Sequence, residues 1–179
     1  KLGMSVAQLP GGEIVPAMER GVIDAFEFNN PSSDMRFGAQ DVAKYYYLSS
    51  YHQASESFEF LFNKDFFDDL DEDLRAILEY GVESASTANT AIALDNYSKD
   101  LETLETKDGV NVERTSQDIL DAQLKAWDEI IPELEKDPFM KKVLDSQRAW
   151  VKRVVFYELM NSPDYTLAYN HYFPGKLKL

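Results

Sequence analysis

The first 63 residues alternate between short apolar and polar runs that predict a helix, a turn and a strand. Residues 13–20 place their apolar side chains on one helical face, and Gly21 follows where helices commonly end in the left-handed conformation. Residues 22–28 are mostly apolar and predict a strand, which Pro31 should end because proline has no N–H for a strand ladder. A helix, a glycine and then a strand are typical of an α/β unit.

Two more strands are predicted before the chain turns helical. Residues 32–34 (Ser-Ser-Asp) can cap a helix that runs to about residue 44, and the aromatic residues 45–48 then predict a strand. After a polar loop, residues 57–63 alternate with period two, which predicts a strand with one buried face. The side chains of that face are Phe58, Phe60 and Phe62.

From residue 65 onward the apolar spacing is helical. Asp71 can cap a long helix over residues 72–106, whose apolar side chains recur mostly three or four positions apart. A turn at residues 107–109 contains a glycine, and residues 110–113 then predict a short strand. The pattern therefore changes here from mixed to mainly helical.

Two further helices are predicted in the last third of the chain. Thr115 and Asp118 have the spacing of a capping box, and the helix that they begin runs to about residue 136. Pro132 should bend or shorten this helix. An Asp-Pro pair begins the next helix, which is predicted over residues 138–160. The organisation is thus a few strands first and long helices later.

Composition and charge narrow the possible functions. The 179 residues carry a net charge of −14, which argues against binding to nucleic acid or to an anionic membrane surface. The chain contains no cysteine, so it can form neither a disulfide nor a thiolate metal site. It also has no uninterrupted apolar run of about 18 residues, the length that a membrane-spanning helix needs.

The stretch DAFEFNNP, residues 24–31, places one carboxylate between two phenylalanines at the end of a predicted strand. A carboxylate that is partly desolvated there needs a cationic partner. Glu27 is therefore a candidate to hold a cation or a ligand, and an ordinary exposed strand end is the alternative.

Several motifs resemble one family of proteins. In chain order they are GGEIVPAMERGVIDAFEFNNPSSD, VAKYYYL, YHQ, FLFNKDFFDDL followed by LRAIL, and VLDSQRAW. They resemble the solute-binding proteins of tripartite ATP-independent periplasmic (TRAP) transporters, most closely the branch that binds 2-oxo acids and similar small carboxylates. The resemblance runs over nearly the whole chain.

The resemblance implies an α/β fold, the C-terminal part of a two-lobed periplasmic binding protein. Residues 1–25 are expected to belong to lobe II, residues 26–64 to cross into lobe I, and residues 65–179 to form the helical part of lobe II with lobe-spanning helices. The N-terminal half of the parent protein is expected to be absent, together with an arginine and a glutamine that hold the ligand and the metal in the family.

The resemblance also implies a binding site. Glu27 matches a glutamate that ligates Na+ or Ca2+ through its carboxylate, and Phe28 matches an aromatic residue whose carbonyl ligates the same ion. Carboxylate and carbonyl oxygens suit such hard cations. The expected substrate-binding residues are Glu27, Phe28, Asn29, Tyr51, His52 and Gln53. The sequence departs from the family at His52, where many members carry an acid.

The implied function is a non-enzymatic periplasmic receptor that captures a small organic acid. It would deliver this acid to the TRAP permease subunits in the membrane, and no nucleic acid is expected as a partner. In the 2-oxo acid branch a late helix is exchanged between subunits, so a homodimer through Trp150, Val151, Val154 and Val155 is possible. Packing of these four side chains within one chain is the alternative.

Two other functions stay open at this point. The first is an α/β enzyme fragment in which Glu27 and His52 are catalytic. The second is an acidic helical interaction module that has no small-molecule pocket.

Overall fold

The computed structural model describes residues 2–52 and 57–177. Contact clustering divides the chain into two compact units, residues 1–124 and 125–179. The elements in chain order are α1 (Gly11–Glu19), α2 (Pro31–Phe37), α3 (Ala39–Val42), β1 (Tyr45–Leu48), α4 (Lys64–Asp68), α5 (Glu72–Thr106), β2 (Asn111–Arg114), α6 (Gln117–Leu134), α7 (Pro138–Asn161) and α8 (Tyr165–Tyr172).

Strands β1 and β2 pair in parallel, with Tyr45 opposite Asn111 and Leu48 opposite Arg114. Parallel neighbours need a long crossover, and here the crossover contains α4 and α5. The Thr115 side chain extends the pairing by donating a hydrogen bond of 2.9 Å to the Leu48 carbonyl. The prediction of both strands is confirmed, with β2 shifted by one residue.

The other two predicted strands do not form in the described part of the chain. Residues 22–28 and 57–63 are irregular, since the only ladder in the described ranges joins β1 and β2. An extended segment needs a neighbouring strand to satisfy its N–H and C=O groups. The predicted buried face of residues 57–63 is also wrong, because all three of its phenylalanines are exposed, by 43% to 63%.

The helix predicted to run from residues 32–34 to about residue 44 is divided into α2 and α3. Gly38 lies between them with φ of 89°, a left-handed conformation that ends α2. The cap is Asn30, whose Oδ1 accepts a hydrogen bond of 3.0 Å from the Ser33 N–H. Pro31 therefore occupies the first helical position, where its missing N–H costs nothing.

The long helix α5 has the predicted bounds, residues 72–106, but the predicted cap is wrong because the Asp71 side chain makes no cap hydrogen bond. Gly109 in the following turn is left-handed with φ of 67°. Helix α6 ends two residues after Pro132, as a shortened helix should. Its predicted capping box is wrong, because the Thr115 hydroxyl contacts β1 and the helix begins only at Gln117.

The last two helices belong to the second unit. Helix α7 begins at Pro138, and the Asp137 carboxylate caps it by accepting hydrogen bonds from the N–H groups of Phe139 and Met140, at 2.7 and 3.1 Å. Helix α8 had not been predicted, although Asp164 caps it in the same manner with a 2.8 Å bond from Leu167. Its four tyrosine and histidine side chains obscured the helical pattern.

The buried core lies in the first unit. Its apolar members come from α1, α3, α5 and the residue before β2, and they are Ile14, Ala17, Ala39, Leu104 and Val110. Helix α2 packs on α5, and α1 packs on α3. No described residue of α7 or α8 is fully buried. Among the described helices, none has both the length and the apolar character needed to cross a membrane.

Candidate functional site

The segment around Glu27 is held by its two phenylalanines. The ring of Phe28 stacks on Phe37 of α2 with centroids 4.6 Å apart and an angle of 12°, and Phe26 meets the same ring edge-on at 5.9 Å. Alternate residues of an extended segment point to opposite sides, and Glu27 is indeed exposed. The expectation that its carboxylate is desolvated is therefore wrong, because the phenylalanines cover α2 and leave the glutamate in solvent.

Helix α1 supports Phe28 from another side. A Cβ atom added to Gly11, the first residue of α1, would lie only 3.2 Å from Cε2 of Phe28. A Cβ atom here would require the Phe28 ring to shift by a few tenths of an ångström, so glycine favours this close approach of backbone to ring. The Phe28 ring therefore contacts α1 as well as α2.

A buried carboxylate lies behind the candidate segment. Asp34 of α2 is only 5% exposed. It accepts a hydrogen bond of 3.2 Å from the Asn29 N–H and one of 2.7 Å from the Tyr46 hydroxyl. These bonds connect the segment that carries Glu27 to α2 and to β1. The sequence had placed Asp34 at a helix cap and Tyr46 in a strand, and neither pattern indicates that the two side chains meet.

Two more polar side chains complete this arrangement. The Asn30 amide donates to Oδ1 of Asn29, and the Ser32 hydroxyl donates to Oδ2 of Asp100 on α5. Asn30 and Ser32 are each 8% exposed. Because buried polar groups must be hydrogen-bonded, they form a rigid support for residues 27–29.

The second candidate segment follows β1. Ser49 has φ of 68°, the left-handed region, and it turns the chain out of the strand. Ser50 Oγ lies 2.7 Å from His52 Nδ1 and accepts a 2.7 Å bond from Nε2 of Gln123 on α6. The Tyr51 N–H donates to Gln123 Oε1 at 3.0 Å. Tyr51 is 45% exposed.

Sequence reasoning had missed Gln123, because a lone glutamine on a helix carries no motif and lies more than 70 positions from the loop. The predicted site residue Gln53 lies outside the described residues. The described hydrogen bonds and ring contacts do not join Glu27, Phe28 or Asn29 to Tyr51 or His52.

The donor chemistry at Glu27 suits a hard cation but supplies only part of a ligand set. Calcium takes about six to eight oxygen ligands, whereas this segment offers one carboxylate and one carbonyl. In the ranges that the structure describes, no group of three or more His, Cys, Asp or Glu side chains could hold a metal ion. The residues therefore fit Na+ or Ca2+ by type, and further oxygens are needed to complete the coordination.

A separate groove of about 470 Å³ lies between residues 58–67 and α5. It is lined on one side by Phe58, Phe60, Phe62 and Phe67, and on the other by Glu79, Val82, Glu83 and Ser86. None of the predicted site residues lines this groove. Its apolar and acidic lining is also unsuited to an anionic ligand.

The sequence and the structure are similar to those of known proteins. Residues 1–137 match the family model described as bacterial extracellular solute-binding protein, family 7. A protein of Nostoc sp. described as a monocarboxylate 2-oxoacid-binding periplasmic protein is 28% identical over 168 residues, which are 92% of this chain and 45% of the relative.

Two solved structures of TRAP solute-binding proteins resemble the fold. One, from Colwellia psychrerythraea with bound calcium and pyruvate, is 26% identical with a TM-score of 0.79 over 96% of this chain and 51% of its own. The other, from Bordetella bronchiseptica, is a mixed-occupancy dimer with calcium and picolinate in one site. It is 28% identical with a TM-score of 0.72 over 93% of this chain and 50% of its own. The chain thus spans about half the length of the relatives that it matches.

Proposed function

The chain belongs to family 7 of the bacterial extracellular solute-binding proteins, and we propose that it forms part of a periplasmic receptor for a small carboxylate of the 2-oxo acid class. The family membership confirms the resemblance identified in the sequence. The receptor would pass its ligand to the TRAP permease subunits in the membrane. The division into lobes at residues 25 and 64 stays a prediction.

The observation that carries the proposal is the presentation of Glu27. Both neighbouring phenylalanines contact Phe37, and the glutamate side chain between them is left exposed. A carboxylate held on a rigid support and turned to solvent is suited to binding rather than to stabilising the fold. The relatives that bind pyruvate or picolinate together with calcium share this fold.

Calcium is the proposed cation, with Glu27 and the Phe28 carbonyl as two of its ligands. When bound, the ion would supply the positive charge that attracts the carboxylate and 2-oxo oxygens of the acid. The residues of this chain would hold these two donors in place through the Phe37 and Gly11 contacts. Further oxygens would come from the acid, from water and from the other half of a receptor as long as the relatives.

We propose no reaction at this site. An enzyme that used Glu27 and His52 together would need them within reach of one substrate atom. The described hydrogen bonds of His52 instead run to Ser50. Those around Glu27 involve Asn29, Asn30 and Asp34.

The proposed receptor is also a homodimer through α7. Trp150, Val151 and Val155 on this helix are 55%, 46% and 40% exposed. Exposed apolar side chains are typical of a surface that a partner covers. Val154, the fourth side chain of the predicted contact, is partly buried, and packing within one chain stays the alternative.

Titration of the 15N-labelled chain with CaCl2 and pyruvate, followed by NMR, tests the carboxylate proposal. Amide shifts detect even millimolar binding, so the measurement suits a chain that holds only part of the ligand set. We expect the amides of residues 26–29 to shift when both probes are present. Glu27→Gln should abolish the calcium-dependent part of the shift.

The matched control is Asp24→Asn, which removes an exposed carboxylate three residues away and should leave the shifts intact. Equal shifts in the Glu27→Gln variant and the unmodified chain would contradict the role of Glu27. An absence of shifts in the unmodified chain up to about 10 mM of each probe would contradict carboxylate binding by this segment.

A further inference from the structure

We infer that Gln123 sets the proton position of His52, so that this side chain presents Nε2–H as a hydrogen-bond donor on the loop after β1. The inference concerns a positioning residue on α6 and a binding residue on the loop. Its last step, which names an oxygen of the carboxylate ligand as the acceptor, rests on the proposed function.

The orientation of the Gln123 amide is the first step. The Tyr51 N–H can only donate, and it lies 3.0 Å from one end of the amide, which must therefore be the oxygen Oε1. The other end is then the NH2 group. It lies 2.7 Å from Ser50 Oγ and donates a hydrogen bond to it. Reversing the amide would place two donors against each other at Tyr51.

The hydroxyl of Ser50 is the second step. Its oxygen has two lone pairs and one proton. One lone pair accepts from Gln123 Nε2, and the other accepts a longer bond of 3.4 Å from the His52 backbone N–H. The hydroxyl proton remains, and it points to the third neighbour, His52 Nδ1, at 2.7 Å.

The position of the proton on the His52 imidazole follows from the direction of the Ser50 hydroxyl. Because Nδ1 accepts the hydrogen bond from the Ser50 hydroxyl, it carries no proton itself. The neutral ring must therefore hold its proton on Nε2. The side chain of His52 is exposed, so solvent or a ligand can approach the ring. Three side chains, Gln123, Ser50 and His52, thus form a hydrogen-bonded relay. Through this relay the orientation of the Gln123 amide determines the tautomer of His52.

The relay also holds the backbone of the loop. Ser49 is the one non-glycine residue with a positive φ in the described ranges, and this conformation is strained for a residue that carries a side chain. The bond from Tyr51 N–H to Gln123 tethers the chain two residues later. The loop therefore leaves β1 in a strained turn and is fixed immediately by α6.

A neutral Nε2–H donor suits a 2-oxo acid. It can bond to a carboxylate oxygen or to the uncharged oxo oxygen, and it adds no positive charge to a site that also holds a cation. An acid at the same position would instead need its own counter-charge. His52 would therefore discriminate for ligands that carry a hydrogen-bond acceptor at this point.

The tautomer is measured directly by long-range 1H–15N correlation spectra of the 15N-histidine-labelled chain. The chain has only two histidines, so a His171→Gln variant assigns the His52 signals. The spectra distinguish the two neutral tautomers of each ring from the form that carries a proton on both nitrogens. We expect His52 to show a protonated Nε2 and an unprotonated Nδ1.

Two variants test the relay. Gln123→Glu replaces the NH2 donor by an acceptor. The Ser50 hydroxyl should then donate to the new carboxylate, and the His52 ring should hold its proton on Nδ1 and donate it to Ser50 Oγ. Ser50→Ala should leave a mixture of tautomers. The control Gln117→Glu places the same charge on an exposed position of α6. It loses the bond from the Gln117 amide to Asp121 and should leave the His52 tautomer unchanged. A His52 tautomer that is the same in all four proteins would overturn the inference.

Pyruvate with CaCl2 tests the ligand step separately from the proposed function. If the amides of residues 26–29 shift, the His52 Nε2–H signal should shift with them, and an unchanged signal would overturn the role of His52 toward the acid. If no amide shifts at all, the proposed function fails and the ligand step with it. The tautomer spectra, recorded without ligand, still decide the relay.

Discussion

The hydroxyl of Tyr46 donates a hydrogen bond of 2.7 Å to Oδ2 of Asp34, a carboxylate that is only 5% exposed. The same carboxylate holds the Asn29 N–H through Oδ1, so one buried side chain connects β1 to the segment that presents Glu27. The candidate site therefore depends on a polar contact between two residues that are twelve positions apart in the chain.

Removal of this donor should destabilise the chain. Tyr46→Phe leaves Asp34 with one partner fewer in a buried position, which costs about 1–3 kcal/mol of unfolding free energy. Tyr45→Phe is the matched control, since Tyr45 is 61% exposed and its loss should cost less than about 0.5 kcal/mol. Urea unfolding followed by circular dichroism measures both. Equal midpoints for the two variants would show that the Tyr46–Asp34 bond contributes little.

The contact between Gly11 and Phe28 predicts opposite effects at two adjacent glycines. Gly12 has open space around it, so Gly12→Ala should stabilise α1 by roughly 0.5–1 kcal/mol. Gly11→Ala places a methyl group 3.2 Å from a stacked ring and should lose this gain. Thermal unfolding of the two variants gives the comparison. A Gly11→Ala variant as stable as Gly12→Ala would mean that the Phe28 ring moves away freely.

The break between α2 and α3 predicts a similar contrast. Gly38 has φ of 89°, and Gly38→Ala should cost about 1–2 kcal/mol because a Cβ atom is strained there. Gly81 lies inside α5 with nothing near it, and Gly81→Ala should stabilise the chain by roughly 0.5–1 kcal/mol. Denaturant midpoints that move in the same direction would contradict the left-handed assignment of Gly38.

The proposed dimer predicts a change in mass. Val151→Glu introduces a charge on the apolar face of α7 and should convert the dimer to a monomer in light scattering. Phe156→Glu is the matched control, because residue 156 lies on the opposite side of the helix and is also exposed, by 66%. If the unmodified chain is already monomeric, or if both variants keep the dimer mass, α7 is not the interface.

The ion pair on α7 predicts a measurable titration. Lys141 donates a 2.7 Å hydrogen bond to Asp145, and this bond holds the pKa of the aspartate below its ordinary value of 3.8. The pair stabilises the folded chain above that pH and loses its contribution as the pH falls through the lowered pKa. Lys141→Met should raise the Asp145 pKa in a carboxyl-carbon NMR titration, and Lys142→Met should not. Stability should change little, because both side chains are about half exposed.

Local patterns predicted the elements that local interactions define. The bounds of α5 follow from helical spacing, and the start of α7 follows from the Asp137 cap. Strand β1 follows from an aromatic run, and β2 follows the turn at residues 107–109. Residues 22–28 and 57–63 have equally strong strand patterns but no described partner strand. Hydrophobic periodicity indicates which face a strand could bury, but it does not indicate whether a partner strand is present.

The candidate site also contains residues that the sequence identifies and residues that only the structure shows. Glu27 and Phe28 were identified from a motif, and the structure adds that both phenylalanines beside the glutamate pack on Phe37. Gln123 and Asp34 could not be found from the sequence, because their roles depend on contacts with distant residues. A single glutamine or aspartate on a helix has many possible partners until the fold selects one.

The parallel pairing of Tyr45 with Asn111 has a consequence for the order of folding. The chain must close a loop of more than sixty residues before the first rung of the sheet can form, and the entropy of closure rises with that length. During synthesis β1 therefore waits for its partner while α5 is completed. The slow step should be the arrival of β2, and substitutions in its register should lower the folding rate more than they raise the unfolding rate.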